Sequence, residues 1–90
     1  MTKNNSQPVN MLHDLHTNFS QFPLNFRELV MEECKWSCPT YYRKIRAVDK
    51  PDENRKDGFI PALSNAEKEG ILRMANIAVE QLKVSLDKYQ

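Results

Sequence analysis

The residues of this chain best equipped for chemistry are four cations, Lys35, Arg43, Lys44 and Arg46, with no acid anywhere between Lys35 and Val48. The whole chain is nearly neutral, 13 Lys and Arg against 12 Asp and Glu, so these four form a local patch rather than part of a global field. A cluster of this kind suits nucleic-acid phosphates, because neutralising them releases condensed counterions and supplies sequence-independent affinity. Arg can also read guanine in the major groove, and a tyrosine such as Tyr42 can donate a phenolic hydrogen bond to phosphate. Other chemistries fare worse. Catalysis needs a nucleophile, a base and an orienting group in one pocket, and no Ser-His-Asp or Cys-His set occurs in workable register, so no enzyme is expected. Cys34 and Cys38 form CxxxC rather than the redox CxxC. Together with His13 and His16 they match no zinc-finger spacing. Both cysteines therefore read as small apolar packing residues, the histidines as partly exposed helix residues, and no metal or cofactor is expected.

The elements that must position the patch belong to one small domain, since the chain has 90 residues and domains of about 100–150 are the norm. Apolar residues make up 40%, charged residues 28%, and mean hydropathy is −0.68, a soluble globular profile. With only two glycines, glycine-rich phosphate loops are excluded. No apolar run is long enough to span a membrane and the start is polar, so the expected location is cytoplasmic.

Read along the chain, the pattern predicts an all-α fold. Residues 1–8 form a polar arm ending at Pro8. Val9, Leu12, Leu15 and Phe19 predict a first helix that stops before Pro23. Asn25 with Glu28 reads as a capping box, with Leu24 and Leu29 as its hydrophobic staple, opening a second helix from Phe26 to about Cys34. Ser37 is the expected N-cap of a third helix, Cys38 to about Val48, with Cys38, Tyr41, Ile45 and Val48 on its apolar stripe. Trp36 reads as a core plug at the turn. Residues 9–48 are thus a helix-turn-helix region. Residues 49–63 form a loop with Phe59 and Ile60 placed to pin it to the core; a short wing hairpin would lack alternating apolar residues. Ser64 and Glu67 form a second capping box, opening a long amphipathic helix over 64–90 with Gly70 as its weak point. Leu72, Ala75, Val79, Leu82, Leu86 and Tyr89 follow a heptad seam along it. At about 36 Å this helix outruns a three-helix domain, so the seam is assigned to a homodimer, with Met74, Ile77 and Val84 facing inward.

The segment from Phe26 to Ile45 resembles the helix-turn-helix of TetR-type repressors. The matching positions are Val30, Cys34, Trp36, Ser37, Thr40, Tyr42 and Ile45, with Pro39-Thr40 as a variant found in that family. The resemblance covers about a quarter of the chain. It implies that Ser37, Thr40 and Tyr42 meet the DNA backbone, and that Pro39, Thr40, Arg43 and Lys44 face base edges. Lys35 and Met31 stand where the family has small residues, and the family's large ligand-binding domain is absent, so no small-molecule effector is expected. The expected interface with double-stranded DNA is then Lys35, Ser37, Pro39, Thr40, Tyr42, Arg43, Lys44 and Arg46, in a transcriptional regulator or an accessory factor of a mobile element or phage. The competing expectation is a helical protein-interaction module in which the basic segment is incidental.

Overall fold

A computed structural model of the chain describes residues 10–55 and 58–90. The expected arm over 1–8 lies outside the described residues. Three helices and one two-stranded pair make up the described part: α1 Met11–Cys34, α2 Cys38–Arg46, β1 Lys50–Pro51, β2 Phe59–Ile60 and α3 Asn65–Asp87. The fold is mostly helical with a small sheet.

The expected first and second helices are one. α1 runs 24 residues, about 36 Å, with Pro23 inside it. It is capped by the Asn10 side chain, which accepts the His13 N–H at 2.9 Å. An interior proline removes one backbone bond and costs about 3 kcal/mol. Here Pro23 is exposed, so its ring faces solvent while the opposite face of α1 lies along α3, and that contact outweighs the loss. The expected capping box at Asn25 dissolves accordingly. Asn25 faces the interhelical gap, and Glu28 accepts from Arg27 at 3.2 Å instead of returning to a backbone amide.

α1 and α3 lie antiparallel. At one end Arg73 of α3 pairs with Glu33; at the other, Tyr89 donates to Asp14 Oδ2 at 2.6 Å and Lys88 pairs with the same oxygen at 2.8 Å. The Lys88 hydrogen bond first, then that from Tyr89, holds the Asp14 carboxyl below its ordinary value, and both partners are held above theirs by the bond to Asp14. Between these ends the buried apolar residues among the described ones are few: Val30, Met74 and Ala78. Gly70 is buried too, and is more than a weak point, since a Cβ there would stand 3.1 Å from Glu33 Cγ. The rest of the seam is partly polar. Asn18, Gln21, Asn25, Gln81 and Ser85, with Phe22, Ala78 and Leu82, surround a gap of about 70 Å³.

α3 begins as its sequence predicts. Ser64 Oγ accepts the Glu67 N–H at 3.0 Å and Glu67 Oε1 accepts the Ser64 N–H at 2.9 Å, satisfying two donors that a helix start leaves open. The expected loop over 49–63 contains a short hairpin, Lys50 opposite Ile60 and Pro51 opposite Phe59. Local polar bonds organise it in place of alternating apolar residues. Asp52 Oδ1 accepts the Asn54 N–H at 2.9 Å, and Asp52 Oδ2 pairs with Arg55 at 3.2 Å, an arrangement aspartate favours in turns. Phe59 and Ile60 do not pin the hairpin to the core; both are more than half exposed.

Candidate nucleic-acid interface

Positioning of α2 starts from the way α1 stops. Lys35 adopts the left-handed conformation, φ 59° and ψ 40°, where glycine is the favoured residue. Its N–H donates to the Glu32 carbonyl at 3.3 Å, and the Trp36 N–H donates to the Met31 carbonyl at 2.9 Å. These paired bonds form a Schellman stop. Two residues later Ser37 caps α2: its Oγ accepts the Thr40 N–H at 3.3 Å and donates to Thr40 Oγ1 at 3.0 Å. Pro39 occupies the first turn, where no amide hydrogen is needed. A three-residue connection thus sets a nine-residue helix against the end of α1.

One side of α2 is anchored. Tyr41 and Ile45, with Trp36, Phe26, Val30, Lys44, Leu63 and Ile71, line a cavity of about 130 Å³ between the three helices. Tyr41 is half-buried, and loss of hydration is the first cause raising its phenol above the usual value. The expected apolar stripe is only partly covered: Cys38 is exposed, Ile45 is 62% exposed and Val48 71%. The stripe ends early because α2 stops at Arg46, which leaves Val48 beyond the helix. Trp36 is half-buried and lies under Lys44, whose Nζ is 5.7 Å from the ring centre.

The Lys44 ammonium is therefore tied down, although its side chain borders a groove together with Arg43 and Arg46. Its Nζ donates to the Ala62 carbonyl at 3.3 Å and stands 3.7 Å from Glu67 Oε1. Three positions after Tyr41 on a helix, it falls on the anchored side. Opposite it, Pro39, Tyr42, Arg43 and Arg46 recur at i, i+3, i+4 and i+7, the spacing of one helical face; all four are exposed. Among the described residues Arg43, Arg46, Lys35 and Lys50 make no ion pair, while Lys44 does. Thr40 is half-buried and its Oγ1 accepts the Ser37 hydroxyl.

Sequence reasoning missed two members. Lys50, on β1, joins Arg43, Lys44, Arg46, Ala47 and Val48 around an open groove of about 440 Å³. The neighbouring acid is turned away from that groove, because Asp49 Oδ1 accepts the Ala62 N–H at 2.9 Å. The second is Arg27 on α1, which donates from Nη1 to Tyr42 Oη at 2.9 Å. No local sequence signal links positions 27 and 42, whereas Lys50 is a cation four residues past Arg46, set off from the basic run in sequence by Asp49. Three of the four acids of α1 are paired, Asp14 with Lys88, Glu28 with Arg27 and Glu33 with Arg73, while Glu32 is exposed and makes no ion pair among the described residues.

The seam assigned to a dimer divides. Leu82 faces α1 at the polar gap, and Tyr89 is bound to Asp14. Ala75 and Leu86 are half-buried, and Leu72 and Val79 point outward at 65% and 44% exposure. Of the residues assigned inward, Met74 is buried, but Val84 is mostly exposed and Ile77 partly so. The reason is the period: contact with α1 follows Gly70, Met74 and Ala78, a four-residue step that lies off the Leu72–Val79 file.

Burial first, then Glu67 and Glu33, raises the Cys34 thiol above its ordinary value, which disfavours the thiolate. Among the described residues no three His, Cys, Asp or Glu side chains come together to hold a metal, and no helix is long and apolar enough to cross a membrane. No protein-family model, curated protein or solved structure matches this chain.

Proposed function

We propose that this chain is a non-enzymatic helix-turn-helix protein that binds double-stranded DNA through α2, as a transcriptional regulator or an accessory factor of a mobile element or phage. The observation that carries the reading is the exposed face of α2, where Arg43 and Arg46 stand with Pro39 and Tyr42 and no acid among them. As a rod about 10–12 Å across with its side chains, α2 fits a major groove about 12 Å wide. Arg43 and Arg46 are the base-edge and phosphate candidates, Tyr42 and Ser37 the backbone contacts, and Lys35 and Lys50 flank the groove. Lys44 supports the rod from behind instead of touching DNA.

The reading includes a homodimer. Among the described residues only Val30, Met74 and Ala78 are buried apolar residues, a thin core, while Leu72 and Val79 face outward on α3. A second copy covering that file supplies the missing burial. It also places two α2 rods on one duplex, so a pseudo-palindromic site is expected.

A titration of duplex DNA at several salt concentrations tests the proposal. Lys35, Arg43, Arg46 and Lys50, the four cations of this surface without an ion pair among the described residues, predict a slope of log affinity against log salt of roughly −3.5 per protomer, at about −0.9 for each phosphate neutralised. A flat or absent response refutes it. The second reading, a module that docks a partner's helix, is favoured by the outward Leu12 and Phe19 of α1 and Val84 of α3; it predicts no DNA affinity and a heterologous helical partner.

A further inference from the structure

Tyr42 is held from behind by a residue of a different helix. Arg27 Nη1 donates to its phenol oxygen at 2.9 Å, and the Tyr41 ring meets its ring edge-on, 5.2 Å between centres and 87° between planes. The other arm of Arg27, Nη2, is taken by Glu28 at 3.2 Å. A guanidinium offers only donors, so Tyr42 has no way to return its own proton to Arg27. One oxygen lone pair is filled, and the hydroxyl hydrogen is left for some other acceptor. Tyr42 is 40% exposed, so that acceptor comes from the solvent side, where Arg43 and Arg46 also stand. A phenol that accepts a bond from a cation becomes a stronger donor in turn. A phosphodiester oxygen accepts and never donates.

We propose that Arg27 is a positioning residue: it fixes the Tyr42 oxygen as an acceptor, so that the phenolic proton is presented outward to a DNA backbone phosphate. The inference rests on the DNA-binding reading above. Arg27 neutralises no phosphate itself, because its charge is balanced by Glu28. The pair acts on the site only through Tyr42, and this separates it from Arg43, whose charge is unpaired among the described residues.

The test is duplex titration over a range of salt with wild type, Tyr42→Phe, Arg27→Ala, Arg27→Lys and the double variant Arg27→Ala/Tyr42→Phe. Tyr42→Phe and Arg27→Ala are each expected to weaken binding about tenfold, the loss of one hydrogen bond from a neutral donor to a charged acceptor. The double variant should be no weaker than either single one. Arg27→Lys keeps a donor and should stay near wild type. None of these changes alters the salt slope, because a neutral contact releases no counterion, whereas Arg43→Ala shrinks the slope by about 0.9. Losses that multiply in the double variant overturn the inference, as does wild-type affinity in Arg27→Ala, or a slope in Arg27→Ala smaller by one ion. A wild-type protein without salt-dependent DNA binding removes the parent reading, a result distinct from all of these.

Discussion

Lys35 offers a direct measure of how α1 is stopped so that α2 can turn away from it. With φ at 59°, its Cβ crowds the backbone in a conformation that costs an L-residue about 1–2 kcal/mol. Glycine escapes that cost but loses more freedom on folding, by about 0.5–1 kcal/mol. Removing the cation also forfeits a favourable interaction with the C-terminal end of the α1 dipole, a few tenths of a kcal/mol at an exposed site. Lys35→Gly should therefore stabilise the fold by about 0.5 kcal/mol, raising Tm by about 2–4 °C for a domain of this size. Lys35→Ala keeps the strain and loses the charge, so it should be slightly less stable than wild type. Urea or thermal unfolding followed by circular dichroism reads both, at one fixed protein concentration because a dimer's stability depends on it. A Lys35→Gly protein that unfolds earlier than wild type, or Lys35→Ala equal to Lys35→Gly, would show that the left-handed stop is not where the strain resides.

Lys44→Ala should destabilise the fold by about 1 kcal/mol, through its bonds to Ala62 and Glu67, and shift Trp36 fluorescence, while leaving the salt slope of DNA binding intact. A reduced slope would return Lys44 to the DNA surface. Leu72→Glu with Val79→Glu should preserve helicity and convert a dimer to a monomer in sedimentation; an unchanged dimer places the interface elsewhere. Asp14 has a lowered folded-state value, so its pin on Lys88 and Tyr89 contributes stability above the unfolded carboxyl value of about 3.9 and loses it as pH falls through the lower folded value. Asp14→Asn should accordingly be less stable than wild type at neutral pH and lose part of the dependence of stability on pH below about 4. Equal acid limbs for the two proteins would place the acid sensitivity in other carboxylates.

The parts of this fold legible in the sequence are those fixed by three or four neighbouring residues. Ser64 and Glu67 mark the start of α3, and Ser37 with Pro39 marks the start of α2, because a cap is a local contest for backbone amides. Pro23 and Asn25 misled for the complementary reason: a proline's local penalty is settled by whatever lies along the helix, and α3 arrives from more than forty residues away. The heptad file of Leu72, Val79 and Leu86 was visible, yet which stripe of α3 meets α1 depended on Gly70, where the two helices come close. In the basic segment the residue types were plain, but their directions were not. Lys44 and Arg43 are adjacent, and only the position of Trp36 and Ala62 decides that one is anchored and the other free.

The most direct test of the central claim compares Arg43→Ala/Arg46→Ala with wild type in DNA titrations at several salt concentrations. If the outward face of α2 is the surface that meets DNA, the double variant keeps its helicity and unfolding midpoint, loses about 1.8 from the magnitude of the salt slope per protomer, and no longer distinguishes a specific site from random duplex. Unchanged affinity and slope in a folded double variant would contradict the account.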